Sequence, residues 1–158
     1  MKLNVIFLDI DGVLNHHLWY EGADRDKEET SNERHLDPSK IELINQLCKD
    51  ANCKVVISST WRGGKSIKWL QDTLNSRGAT FEVIDKTGRC CSDVRGVEVY
   101  NWWSKNEDDY NNYVIFDDDN DFLIEQINNF FQIDGYCGIT PTIIYKAERF
   151  LNGNKGGQ

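Results

Sequence analysis

Three short apolar runs, each closing on a cluster of acids or hydroxyls, constrain this chain more than any other feature. Leu3 to Leu8, with β-branched Val5 and Ile6 at its centre, stops at Asp9. Lys54 to Ile57 stops at Ser58, Ser59 and Thr60, and Tyr113 to Phe116 stops at Asp117, Asp118 and Asp119. Runs without polar alternation are the pattern of strands covered on both faces. Between them lie segments with apolar residues at helical spacing: Pro38 to about Ala51 behind an Asp37 cap, Lys65 to Ser76, and Val94 to Lys105. Thr80 to Ile84 reads as a further strand and Phe122 to Phe131 as a further helix. One or two short strands are expected between Ile133 and Tyr145, around Gly135, Gly138 and Pro141, with a closing helical turn or two over Lys146 to Leu151. This rhythm predicts a three-layer α/β domain, Rossmann-like, with a mainly parallel central sheet over residues 1–151 and a flexible tail over 152–158. Asn15 to Asp37 fits no element and reads as a loop, longer than most connections.

A chain of 158 residues supports one core, so its chemistry must sit on one scaffold. The net charge of -8 argues against a broad basic face for duplex nucleic acid, leaving room for a strand end at most. No stretch approaches the ~20 apolar residues of a membrane span. The first apolar run meets Asp9 too soon for a signal peptide, so the expected address is the cytoplasm. Five cysteines without CxxC spacing, and no histidines placed to help them, fit buried thiols in a reducing compartment better than zinc. The adjacent Cys90 and Cys91 are the alternative, as a redox pair.

The strand ends carry the chemistry, because ligands of open parallel sheets bind at the carboxyl ends of the strands. In DIDGVLN, Asp9 and Asp11 lie two apart and Gly12 lets the backbone turn away. ISSTWR offers Ser58, Ser59, Thr60 and the cation Arg62, and IFDDDND places four acids in five residues. Two carboxylates about 4 Å apart repel by roughly 4 kcal/mol at an effective dielectric near 20, so such a cluster calls for a cation. An acid-rich, histidine-poor set suits Mg²⁺. A calcium loop starting at Asp117 fails, since Phe122 and Asn128 stand where glycine and glutamate are required.

With DIDG, the serine pair after a strand and the Asp117–Asp118 pair after another, the chain resembles the haloacid dehalogenase-like superfamily of phosphohydrolases. SSTWR, RGVEVYNWW, YVIFDDDND and GIT narrow the resemblance to the domains of Swiss-army-knife RNA repair proteins and the phosphatase half of polynucleotide kinase-phosphatases. The resemblance runs from Leu3 to about Asp121, and residues beyond are expected to add only scaffold. It implies Asp9 as nucleophile and Asp11 as acid/base, which suits a carboxylate already ionised at neutral pH. It implies Mg²⁺ held by Asp9, Asp11 through its backbone carbonyl, and Asp117, with Asp118 or Asp121 acting directly or through water. Ser58 and Ser59 would bind the phosphoryl group, and Arg62 would contact substrate. The basic residue of the third motif is Arg95, which opens a predicted helix, or its rival Lys86. Trp61, Trp102 and Trp103 are core residues or stacking platforms, and His16 and His17 are loop histidines, solvated or facing substrate.

Neither usual insertion point is long enough for a substantial cap domain, so an open site is expected. That suits a phosphate on something large, with a nucleic-acid 3′-phosphate end or a nucleotide as the implied partner and no membrane. The competing reading is a non-catalytic phosphoacceptor or metal-binding signalling module, although a receiver has no use for the paired aspartates of DIDG.

Overall fold

The computed structural model describes residues 1–22 and 35–153. Five strands form one all-parallel sheet: β1 (Leu3–Leu8), β2 (Cys53–Ile57), β3 (Val83–Lys86), β4 (Tyr110–Asp117) and β5 (Phe130–Gln132). They lie in the order β3-β2-β1-β4-β5. The helices are α1 (His17–Glu21), α2 (Pro38–Asp50), α3 (Ile67–Asn75), α4 (Arg95–Asn106) and α5 (Pro141–Leu151). This is the three-layer α/β architecture that the apolar runs imply. No cap domain is present among the described residues. Residues 23–34 of the long loop and 154–158 of the tail lie outside them.

Side chains alternate across a strand, so each central strand feeds two cores. Ile6, Leu8, Val55, Ile57, Val114 and Phe116 face the side covered by α2, α3 and α5, where Ile44, Leu70, Leu74 and Ala147 meet them. Val5, Phe7, Val56 and Ile115 face α4, against Val99 and Trp102. Trp102 stands edge-on to Phe7 at 5.4 Å, and Trp103 packs on Tyr113 at 4.5 Å. Both tryptophans are therefore packing residues.

Caps fix the helix starts. Pro38 is the first residue of α2 and the Asp37 carboxylate accepts the Ser39 N–H at 2.9 Å. His16, expected in the loop, is buried: its Nδ1 accepts the Trp19 N–H, so Nε2 carries the proton given to Asp37 at 2.8 Å. His17 pairs with Glu21 on the surface.

Four expectations are corrected. Asn15–Asp37, read as a loop without elements, carries helix α1 over His17–Glu21. Phe122–Phe131 is not a helix but a 3-10 turn, Ile124–Gln126, followed by edge strand β5. Pro141 opens α5 rather than closing a strand, with Thr140 as its cap. The third strand begins at Val83, because the Thr80 N–H is given to the Asn45 side chain at 2.8 Å.

Gly96 fixes how α4 meets the loop after β4. A Cβ there would lie 2.7 Å from the Leu123 nitrogen and 2.8 Å from the Phe122 Cα. Alanine favours helix over glycine by ~1 kcal/mol, but a clash with backbone costs about 1–3 kcal/mol. Gly96→Ala is therefore expected to lower the urea midpoint; a raised midpoint would show that the loop yields.

Candidate active site

Register builds the site. Leu8 pairs with Ile57 on one side and Phe116 on the other, and Ile57 pairs with Lys86. One residue further along each strand, Thr87, Ser58, Asp9 and Asp117 form a row across the sheet. Its hydrogen bonds run Thr87 N–H to Ile57 O, Ser58 N–H to Leu8 O and Asp9 N–H to Phe116 O. By strand alternation this row shares the parity of Val56, Phe7 and Ile115, which face α4. The two carboxylates thus meet the helix end that carries Arg95.

Asp9, Asp117 and Asp118 each offer an oxygen, and these oxygens all lie within 4.8 Å of one another. Asp9 and Asp117 are buried and Asp118 is exposed. Asp117 Oδ1 accepts the Asp119 N–H at 3.0 Å, but its Oδ2 is buried with no partner. Burial pushes Asp117 up to about 8, and the neighbouring Asp9 charge adds to the rise. Burial likewise pushes Asp9 up to about 6 against hydrogen bonds from Ile10 and Ser59 and the charge of Arg95.

These raised values give the metal-free protein a signed pH dependence. The folded state keeps protons that the unfolded chain has released above about pH 4, so their contribution to stability is full below that value. It is lost as pH rises through the folded values toward 8. In EDTA, Tm is expected to fall between about pH 5.5 and pH 8, and added Mg²⁺ to raise Tm more at the higher pH. Equal Mg²⁺ shifts at both pH values would contradict a cation bound by these acids.

The cleft around Asp9 encloses about 330 Å³ and is lined also by Arg62, Arg89, Arg95 and Glu98. Arg95 opens α4, with its backbone N–H given to Asp121 Oδ2 at 2.9 Å and its Nη1 buried without a partner. Asp121 therefore caps the helix that presents Arg95, and stands outside the three-carboxylate group. Lys86 lies away from this cleft; its Nζ is given to the carbonyls of Arg62 and Lys65. The Ser59 hydroxyl favours the charged form of Asp9, while the Ser58 hydroxyl is buried and unpartnered. Arg62 is buried: Nη1 donates to Ser59 O at 2.8 Å and Nη2 to Glu98 Oε2 at 2.5 Å.

A family comparison gives the class of the domain. The profile of the HAD domain in Swiss Army Knife RNA repair proteins matches residues 5–143, a span that contains the whole site. The chain belongs to this family. No curated protein and no solved structure matches it. Membership supports a phosphatase-type function for the domain.

In this HAD domain Asp11 stands apart from the three-carboxylate group. Trp61 Nε1 donates to both of its oxygens at 3.0 and 3.1 Å, and Asn15 Nδ2 donates to Oδ1 at 2.8 Å. Its side chain is exposed, beside a neighbouring groove that also includes Trp69 and Lys65. Trp61 is thus a carboxylate holder, a role absent from the sequence reading. Glu98 and Arg89 are absent from it as well. Glu98 had a signal, three residues after Arg95 on one helix; Arg89 had none beyond its charge. The five cysteines are all free thiols. Burial pushes the Cys48 thiol up to about 12 and raises Cys53 as well, which makes both packing groups. No helix among the described residues is long and apolar enough to cross a membrane.

Proposed function

We propose that this HAD domain is a Mg²⁺-dependent phosphomonoesterase that works through an aspartyl-phosphate on Asp9, in a reducing, cytoplasmic compartment, with nucleic-acid 3′-phosphate ends or nucleotides as substrates. The observation that carries the reading is the meeting of Asp9, Asp117 and Asp118 beside the unpartnered Arg95 Nη1. The donor set fits Mg²⁺: every side-chain ligand is a carboxylate oxygen, and the orphaned Asp117 Oδ2 lacks what a cation would provide. Asp9, Asp117 and Asp118 would hold the ion, with the Asp11 carbonyl completing the protein ligands. When bound, it neutralises charge on the carboxylates and the phosphoryl oxygens.

The chain's own groups account for the rest. A carboxylate oxygen of Asp9 forms the bond to phosphorus as the bond to the leaving oxygen breaks, and that oxygen takes the proton carried by Asp11. Arg95 offers its free Nη1 to the phosphoryl oxygens. Asp11 then takes a proton from the water that attacks phosphorus, which frees phosphate and regenerates Asp9. Trp61 and Asn15 hold the Asp11 carboxyl on the open side, where a leaving group arrives. Release of p-nitrophenol from p-nitrophenyl phosphate with Mg²⁺, lost on adding EDTA, tests the reading. Stoichiometric phosphorylation of the protein without turnover would replace it with the phosphoacceptor module.

A further inference from the structure

We propose that a second cleft, beside the first, binds a second phosphate of the substrate whose terminal phosphate reacts at Asp9; the inference rests on the phosphatase reading. This cleft encloses about 700 Å³ and shares Thr60, Arg62 and Arg89 with the cleft around Asp9, so one ligand can occupy both. Its charge is the opposite of its neighbour's. Arg62, Lys86 and Arg89 line it, and no carboxylate does, in a chain of net charge -8. The Asp9 cleft, by contrast, gathers all four acids of the IFDDDND run.

Two buried donors in its lining have no partner: Arg62 Nε and the Thr87 hydroxyl. Thr87 is 2 % exposed and stands in the same row as Asp9, two strands away across β2, which is about 10 Å at ordinary strand spacing. A buried hydroxyl or guanidinium N–H left unmade costs free energy that an anion would restore. The rest of the wall keeps side chains out of the way. Gly64 and Gly88 face open space, and Gly64 holds a φ of 66°, which side chains rarely adopt. Lys86 Nζ pins the carbonyls of Arg62 and Lys65, which sets the positive wall and leaves Arg89 as the exposed cation without an ion-pair partner among the described residues. Three cations, two orphaned donors and a glycine-lined opening fit a phosphate group, whether a phosphodiester or a phosphomonoester.

The test compares kcat/KM on a nucleoside 3′-monophosphate, a nucleoside 3′,5′-bisphosphate and a 3′-phosphorylated dinucleotide. A second phosphate is expected to raise kcat/KM by about tenfold or more. The dinucleotide alone gaining identifies a phosphodiester as the ligand, and both gaining identifies phosphate in either form. Arg89→Gln and Thr87→Val are expected to shrink the ratio of two-phosphate to one-phosphate kcat/KM, a ratio that a loss of folded protein does not move. Equal kcat/KM on all three substrates, with turnover intact, overturns the subsite and leaves the phosphatase standing. Absence of turnover on every substrate ends the phosphatase reading instead. Binding of a fluorescent 3′-phosphorylated dinucleotide to Asp9→Asn protein reads the subsite without turnover: Kd is expected to weaken about fivefold or more with Arg89→Gln added, and an unchanged Kd overturns it.

Discussion

Asp9→Asn is expected to reduce phosphate release by roughly 10³-fold or more while leaving the protein folded. An amide oxygen is a poor nucleophile toward phosphorus, and no other carboxylate takes the Asp9 position in the row formed by β1, β2 and β4. Loss of folding does not explain such a result here. Asp9 is 7 % exposed and burial disfavours its charge, so the isosteric neutral side chain removes a repulsion with Asp117 and Asp118. In metal-free protein at about pH 8, Tm of the variant should equal or exceed that of the wild type. Turnover retained at the wild-type rate with a matching circular dichroism spectrum would remove Asp9 from the chemistry.

Glu98→Ala is expected to be the most damaging single change outside the central strands. Glu98 is 4 % exposed and accepts from Arg62, itself 6 % exposed, so truncation strands that guanidinium group in the interior. Breaking a buried pair from one side costs about 3–5 kcal/mol, a large share of the ~5–15 kcal/mol that holds a domain together. At about 2–4 °C per kcal/mol for a chain of this size, Tm should drop by roughly 10 °C. Replacing both partners, Arg62→Met with Glu98→Leu, should recover much of that loss, because no charge then stays buried alone. A double variant as unstable as Glu98→Ala would show that the cost lies in packing rather than in charge.

What the sequence revealed follows from which signals tertiary contacts leave alone. β1, β2 and β4 were legible because burial on both faces demands uninterrupted apolar residues, and their ends located Asp9, the serines and Asp117 directly. α2 was legible through Asp37 and Pro38. Phe122–Phe131 misled because Ile124 and Ile127 fall at helical spacing yet lie in solvent, 74 % and 62 % exposed. The aromatic residues there are instead matched to a sheet edge: Phe130 stacks on Phe122 at 4.4 Å and Phe131 meets Phe116 at 6.1 Å. Pairing with β4 is non-local, and no period in the chain announces it. The sheet register, which carries Lys86 to the neighbouring cleft while Arg95 lines the cleft around Asp9, was not legible either. The Arg62–Glu98 pair was hidden for the same reason, as its partners are 36 residues apart.

Gly12 and Gly135 bear on the stretch after Asp121 that resemblance alone treats as scaffold. A Cβ on Gly12 would fall 2.3 Å from Asp118 Oδ2, and one on Gly135 would fall 3.0 Å from the same oxygen and 3.7 Å from the Gly12 Cα. Two distant parts of the chain are bare where they touch, and the Asp118 carboxylate is wedged between them. The aim of Asp118 is consequently governed from the C-terminal side as much as from its own strand, and a bulkier residue at 135 would act as a dial on the acid trio without touching Asp9 or Asp117.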